Sequence, residues 1–109
     1  MRVLVVDDDE SIRSALTLTL SVEECVEVRS AAGGSDALRL VKSFHPDVIV
    51  MDYWMPGMDG SEVARALRIE LPDARIVAFS GILFEKPDWA DAFILKDRLP
   101  DAAELLSSD

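Results

Sequence analysis

Short, wholly apolar segments recur along this 109-residue chain and limit the folds it can adopt. Runs of three or four apolar residues are typical of strands that are buried on both faces of a sheet. One weaker segment alternates apolar and polar residues, as expected of an edge strand. The five predicted strands are Val3–Val6, Cys25–Val28 (the edge strand), Val48–Met51, Ile76–Phe79 and Phe93–Leu95.

The stretches between these strands have apolar residues three or four positions apart, which is the spacing of amphipathic helices. Ser35 or Asp36 and Asp59 are the predicted helix starts, because short polar side chains cap free backbone N–H groups. Pro46 and Pro72 are expected to end the helices before them. The predicted apolar helix faces are Ile12, Ala15, Leu16 and Leu20; Leu38, Val41 and Phe44; and Val63, Ala64, Leu67 and Leu71.

Strands that alternate with helices along the whole chain predict an α/β fold. Parallel strands joined by right-handed crossovers would form a doubly wound sheet with helices on both faces. The length suits one hydrophobic core, so residues 1–109 are predicted to be a single domain.

Composition excludes several classes of protein. The net charge is −10 and no Lys/Arg cluster is present, so direct nucleic-acid binding by this domain is not expected. No apolar run approaches the ~18 residues that a membrane helix needs. The single cysteine, Cys25, cannot form an internal disulfide, and no leader pattern precedes Val3, so the cytoplasm is the predicted location.

Polar side chains follow the predicted strands and should meet at one edge of the sheet. Parallel strands all end at the same edge, where open α/β folds bind their ligands. The residues that follow four of the five strands are Asp7, Asp8, Asp9, Asp52, Ser80, Gly81 and Lys96.

Each of these residues also has an ordinary structural interpretation. Asp8 or Asp9 could simply cap the next helix, Ser80 could be a turn residue, and Lys96 could be a solvated surface cation. Asp52 is harder to explain in this way, because it directly follows an apolar strand and its charge is costly to desolvate. The combination therefore predicts a functional site.

Several carboxylates at one edge repel one another by about 4 kcal/mol per pair at 4 Å and an effective dielectric near 20. A cation must therefore lie among them, and oxygen ligands without His or Cys favour Mg²⁺. Lys96 could pair with the oxygens of a transferred phosphoryl group, and the Ser80 hydroxyl could donate to another. These features predict aspartyl-phosphate chemistry, with Asp52 as nucleophile and Ser80 and Lys96 as its catalytic partners.

Four blocks in order resemble the response-regulator receiver family: VLVVDDDESIR, DVIVMDYWMPGMDG, IVAFSG and AFILKD. The resemblance implies a flavodoxin-like, five-stranded parallel sheet of order 2-1-3-4-5. It implies a phosphorylation-activated switch of a two-component system, which catalyses its own phosphorylation and dephosphorylation rather than acting as an enzyme on other substrates. A sensor histidine kinase or a phosphotransfer protein is the implied partner, and a homodimer is compatible with the family.

The resemblance also implies residue roles. The implied metal site is formed by the side chains of Asp7, Asp8 and Asp52 and the backbone carbonyl of Trp54. Asp8 and Asp52 would be direct Mg²⁺ ligands, and Asp52 would accept the phosphoryl group. Ser80 and Phe93 are the implied switch residues, Lys96 is the family lysine, and Asp9 would lie outside the first coordination shell.

The chain departs from the family pattern after Ser80. Only fifteen residues separate Ser80 from Lys96, and Pro87 is among them, so the fourth helix is predicted to be shortened or missing. The family commonly uses the face containing that helix for dimerisation or output. Lys96 is followed by Asp97, a dipeptide that resembles receivers joined to helix-turn-helix DNA-binding domains.

Two other functions stay open on the sequence. One is an Mg²⁺-dependent phosphohydrolase with an Asp nucleophile, although such enzymes generally have a second acid two residues further on, where this chain has Trp54. The other is a non-switching binding module with the receiver fold, against which the intact acids, Ser80 and Lys96 argue.

Overall fold

The computed structural model describes residues 1–52, 54–55, 58–81, 85–97 and 99–106. Five parallel strands form one sheet in the order β2-β1-β3-β4-β5, which confirms the predicted doubly wound, flavodoxin-like architecture. The strands are β1 (Arg2–Val6), β2 (Glu27–Ala31), β3 (Val48–Met51), β4 (Arg75–Ser80) and β5 (Ala92–Leu95).

Helices cover both faces of the sheet. They are α1 (Glu10–Ser21), α2 (Gly34–Phe44), α3 (Gly60–Glu70) and the short α4 (Ala102–Leu106). Buried residues of α1 and α4 pack with one set of strand side chains, and those of α2 and α3 pack with the other. The three inner strands, β1, β3 and β4, are therefore buried on both sides, as their unbroken apolar sequences predict. Among the described residues, no helix combines the length and the apolar composition that a membrane span requires.

Two predicted boundaries were wrong. The edge strand was predicted at Cys25–Val28, but β2 begins at Glu27 because Cys25 has a left-handed backbone (φ 65°) that a strand cannot contain. Helix α2 was predicted to begin at Ser35 or Asp36, but Gly33 is the residue before its first turn. The extended backbone of Gly33 starts the helix without a side-chain cap.

Other predicted boundaries are confirmed. Asp59 caps α3, since its carboxylate accepts a hydrogen bond from the Glu62 N–H at 2.9 Å. Helices α2 and α3 end before Pro46 and Pro72, respectively. A two-stranded antiparallel hairpin, Trp54–Met55 with Met58–Asp59, connects the end of β3 to α3.

The connection from β4 to β5 has no helix among its described residues, Gly81 and 85–91, in line with the prediction that the helix between these two strands is shortened or missing. Arg68 of α3 holds this connection in place. Its guanidinium donates to the carbonyl of Trp89 (3.3 Å) and to the carboxylate of Asp91 (3.0 Å). The Asp91 carboxylate also accepts from the Ile76 N–H in β4 at 2.8 Å. An ion pair with α3 and a hydrogen bond to β4 thus fix the residue that precedes β5.

Candidate functional site

The polar residues predicted at one edge of the sheet lie there. Asp7 follows β1, Asp52 follows β3, Ser80 is the last residue of β4, and Lys96 follows β5. Main-chain hydrogen bonds extend the sheet to this edge, from the Asp52 N–H to Val6 (3.0 Å) and from the Lys96 N–H to Ser80 (2.9 Å). The backbones that carry these side chains are therefore held by the sheet itself.

The Lys96 ammonium joins two carboxylates from different strands. Its Nζ donates to Asp7 Oδ2 at 2.8 Å and to Asp52 Oδ2 at 3.2 Å. The Lys96 side chain is 21% exposed, and those of Asp7 and Asp52 are 2% and 11% exposed. The interpretation of Lys96 as an ordinary surface cation is therefore wrong.

The pKa of Lys96 reflects this environment. Partial burial of the ammonium lowers its pKa, but the hydrogen bond to Asp7 and the negative charges of Asp52 and Asp7 outweigh burial, so the pKa of Lys96 is raised above its usual value. Lys96 is thus held in its charged form, which can neutralise anionic oxygens at this edge.

The three consecutive aspartates after β1 have different environments. Asp7 is buried, and its Oδ1 accepts from the Asp9 N–H at 2.9 Å. Asp9 caps α1 by accepting from the Ser11 N–H at 2.8 Å, so the capping interpretation is right for this residue. Asp8 is exposed, and one of its carboxylate oxygens lies near those of Asp7 and Asp52.

Asp7, Asp8 and Asp52 each offer one oxygen, and these oxygens lie within 4.8 Å of one another. Oxygens bound to one Mg²⁺ at 2.0–2.1 Å are at most about 4.2 Å apart, so the three oxygens lie near the spacing that one ion requires. Three ionised carboxylates and the Lys96 ammonium together carry a net charge of −2. The donor atoms and their net charge therefore suit a divalent cation that prefers oxygen.

The remaining predicted site residues lie close in the fold. Ser80 is 1% exposed at the end of β4. Phe93 is half-buried in β5, in register with Ala78 of β4. Trp54 is two residues after Asp52, and its backbone pairs with that of Asp59 in the hairpin. Their roles in metal binding and switching stay predictions.

Two residues that support the site were missed by the sequence argument. Arg13 of α1 donates to the Asp7 carbonyl at 2.8 Å, and the Phe79 ring centroid lies 5.3 Å from the Lys96 ammonium. The Phe79 ring offers a favourable cation–π contact to the Lys96 ammonium. Phe79 directly precedes Ser80, but nothing in the sequence distinguishes it from the other buried aromatics, and Arg13 occupies an unremarkable helix position.

The sequence matches the family model described as "Response regulator receiver domain" over residues 3–96. It is 40% identical over 105 residues to the probable transcriptional regulatory protein NarL of Mycobacterium tuberculosis, covering 89% of this chain and 48% of that protein. It is 38% identical over 84 residues to the transcriptional regulatory protein LiaR of Bacillus subtilis, covering 76% of this chain and 40% of that protein. The chain spans about half or less of the length of these relatives.

Solved structures give the same result. The response regulator protein TrrA of Thermotoga maritima, in complex with Mg²⁺-BeF, is 34% identical with a TM-score of 0.77, covering 87% of this chain and 85% of that one. The receiver domain of the putative response regulator NarL of M. tuberculosis is 39% identical with a TM-score of 0.73, covering 89% and 84% of the two chains. With the family model matching residues 3–96, this chain belongs to the response regulator receiver domain family.

Proposed function

We propose that residues 1–109 form a receiver domain that takes a phosphoryl group onto Asp52 from a sensor histidine kinase or a phosphotransfer protein, with Mg²⁺ as cofactor. The observation that carries this proposal is the position of Lys96 between Asp7 and Asp52, with Asp8 beside them. The lone, exposed Cys25 supports a reducing location such as the cytoplasm.

Asp52 has the environment of a nucleophile. Its side chain is 11% exposed, and Lys96 contacts its Oδ2 at 3.2 Å. An Asp52 oxygen would attack the phosphorus of a phosphohistidine, forming an O–P bond as the P–N bond breaks. The electron pair of that bond would go to the imidazole nitrogen, which then takes up a proton. The product would be an acyl phosphate on Asp52.

Lys96 and Ser80 would hold the transferred group. Because the Lys96 ammonium is anchored by Asp7 at 2.8 Å, it can pair with a phosphoryl oxygen without leaving the site. Ser80 ends the strand next to β3, and its hydroxyl would donate to a second oxygen. Asp7 would act as a positioning residue through Lys96.

Asp8, Asp52 and the backbone carbonyl of Trp54 would hold Mg²⁺, with Asp7 completing the acidic set. When bound, the ion supplies positive charge that neutralises the phosphoryl oxygens. The Mg²⁺-BeF complex of the Thermotoga relative supports this assignment. Attack of water on the phosphorus of the acyl phosphate would break its O–P bond, release inorganic phosphate and restore the Asp52 carboxylate, so we further propose that the domain dephosphorylates itself.

Intact-mass measurement after incubation with acetyl phosphate tests the proposal. With Mg²⁺ we expect one added phosphoryl group, and with a chelator in place of Mg²⁺ we expect none. Asp52→Asn should remain unlabelled. Asp9→Asn is the matched control, because Asn still caps a helix, and it should label like the parent.

Equal labelling of Asp52→Asn would overturn the assignment of the acceptor. Labelling that is unaffected by the chelator would overturn the role of Mg²⁺. Multiple turnover of a phosphate ester such as p-nitrophenyl phosphate, lost in Asp52→Asn, would instead favour a phosphohydrolase.

A further inference from the structure

A groove of about 510 Å³ lies between α3 and the 85–91 segment, and none of its lining residues belongs to the phosphorylation site. Ala64, Arg65 and Ile69 line it from the helix, and Asp88 and Trp89 line it from the segment. We call this feature the α3 groove.

The groove is open because the β4–β5 connection is short. A crossover between parallel strands usually contains a helix, which packs on the sheet beside its neighbours. Here the described part of the connection is non-helical, and Trp89 alone of its large side chains packs against the core beneath α3. The outer flank of α3 is thus left without a neighbouring helix within the described part of the chain.

The helix wall exposes apolar surface. Ile69 is 78% exposed although it belongs to a helix whose opposite face is fully buried. One exposed isoleucine is common on protein surfaces, but this one borders a concave surface that also contains Ala64 and Trp89. Covering this surface would remove apolar area from water.

The two walls have opposite charges. Arg65 on α3 and Asp88 on the segment are both exposed, and within the described part of the chain neither forms an ion pair. Arg68 differs, since its guanidinium is engaged by Asp91 at 3.0 Å. The groove therefore has a cation and an anion on facing walls, and the charge of Arg65 also acts on the carboxylate of Asp59.

We infer that the α3 groove binds the α3 groove of a second copy of this chain. In a two-fold symmetric interface the same surface meets itself, so each group must find its complement on the identical patch. The groove meets this condition: Arg65 of each copy can pair with Asp88 of the other, around the apolar surface of Ile69. A net charge of −10 makes two copies repel at long range, so these local pairs also determine how the copies are oriented.

Charge reversal tests the inference on the unphosphorylated 109-residue chain. Sedimentation equilibrium should detect a dimer of the parent. Arg65→Glu and Asp88→Arg should each weaken dimerisation tenfold or more. The interface contains two symmetric contacts between positions 65 and 88, and either substitution places like charges opposite one another at both. An equimolar mixture of the two variants should form a heterodimer with an affinity near that of the parent, since both cross-pairs are again opposite in sign.

Lys42→Glu and Asp73→Arg are matched controls, because they make the same charge changes at exposed positions outside the groove. They should leave the dimer within about twofold of the parent. Circular dichroism checks that every variant is folded, and restoration in the mixture cannot arise from misfolding.

A parent chain that stays monomeric overturns the inference, as does a dimer that ignores both reversals or is not restored by mixing. The inference does not rest on the proposed function. Loss of Asp52 phosphorylation in the earlier test would leave the dimer prediction unchanged, and a monomeric chain would leave the phosphorylation prediction unchanged.

Discussion

The ammonium of Lys96 lies 2.8 Å from the carboxylate of Asp7, although 89 positions separate the two residues in the sequence. This ion pair connects the ends of β5 and β1, two strands that are not adjacent in the sheet. It also leaves Lys96 within 3.2 Å of Asp52. The order of the strands therefore places one cation between the carboxylates that follow β1 and β3.

Replacing Lys96 with Met should lower the free energy of unfolding at neutral pH by about 1–3 kcal/mol, because Asp7 loses its cation while buried. Urea unfolding measures the loss. In an Asp7→Asn background the same replacement should cost less, since only the Asp52 carboxylate then loses its cation. Equal losses in both backgrounds would show that the Lys96–Asp7 ion pair contributes nothing to stability.

The same ion pair predicts a dependence on alkaline pH. The pKa of Lys96 is raised in the folded chain, so its stabilising effect is complete below the unfolded-state pKa of about 10.4 and is lost as pH rises through the folded pKa. Thermal unfolding from pH 8 to 12 should show the parent losing its advantage over Lys96→Met only above about pH 10.4. An advantage that is constant across this range would contradict the assignment.

Mg²⁺ should stabilise the folded chain, because it relieves repulsion among Asp7, Asp8 and Asp52. The gain should reach about 2.7 kcal/mol at 100 times the dissociation constant. Asp8→Ala should abolish the shift in melting temperature, whereas Asp9→Asn should retain it because Asp9 caps α1. A full shift in Asp8→Ala would place the metal elsewhere.

Much of this arrangement could be predicted from the sequence, because the apolar runs that form the strands and the polar residues that follow them are local patterns. Unbroken apolar runs identify β1, β3 and β4. Because the strands are parallel, the residues at their carboxyl ends, Asp7, Asp52 and Ser80, meet at one edge of the sheet. The position of Lys96 at that edge follows from the same rule. Its choice of Asp7 and Asp52 as partners does not, because it depends on side-chain packing.

Features set by backbone conformation or distant contacts could not be predicted. The left-handed backbone of Cys25 displaces β2, and such a conformation is uncommon for a residue other than glycine. The Arg68–Asp91 ion pair joins residues 23 positions apart whose sequence neighbours give no sign of contact. The α3 groove arises only where the short β4–β5 connection meets α3.

Arg68 and Asp91 should make the β4–β5 connection sensitive to acid. Burial raises the pKa of Asp91, but hydrogen bonds from Ile76 and Arg68 outweigh it, so the pKa is lowered overall. This contribution is present above the unfolded-state pKa of about 3.9 and is lost as pH falls through the folded pKa. Because the Asp91 side chain is 44% exposed, the effect should not exceed about 1 kcal/mol.

Asp91→Asn and Asp91→Ala separate the effect of the ion pair with Arg68 from that of the hydrogen bond from the Ile76 N–H. Asn keeps an acceptor for the Ile76 N–H and loses only the charge, so it should remove the acid dependence with a small loss of stability at pH 7. Ala should lose more stability at pH 7, because the Ile76 N–H is left without its side-chain acceptor. Identical acid unfolding curves for parent and Asp91→Asn would show that this pair contributes nothing to the transition.

Occupation of Asp52 is expected to affect β5 through Lys96 and Ser80. Beryllofluoride with Mg²⁺ stands in for the phosphoryl group, and its fluorines would compete for the Lys96 ammonium and the Ser80 hydroxyl. Phe93 lies in β5, Lys96 directly follows that strand, and the connection before the strand lacks a helix in its described part. A shift at Lys96 should therefore alter the stability of β5 and of residues 85–91. Hydrogen exchange should therefore change over residues 85–97 on adding beryllofluoride and Mg²⁺, while exchange in α1 and α2 should change little.

Ser80→Ala, which removes the hydroxyl but keeps the strand, should reduce the change in exchange without abolishing binding of beryllofluoride. Unaltered exchange over residues 85–97 in the liganded parent would mean that occupation of Asp52 is not coupled to β5.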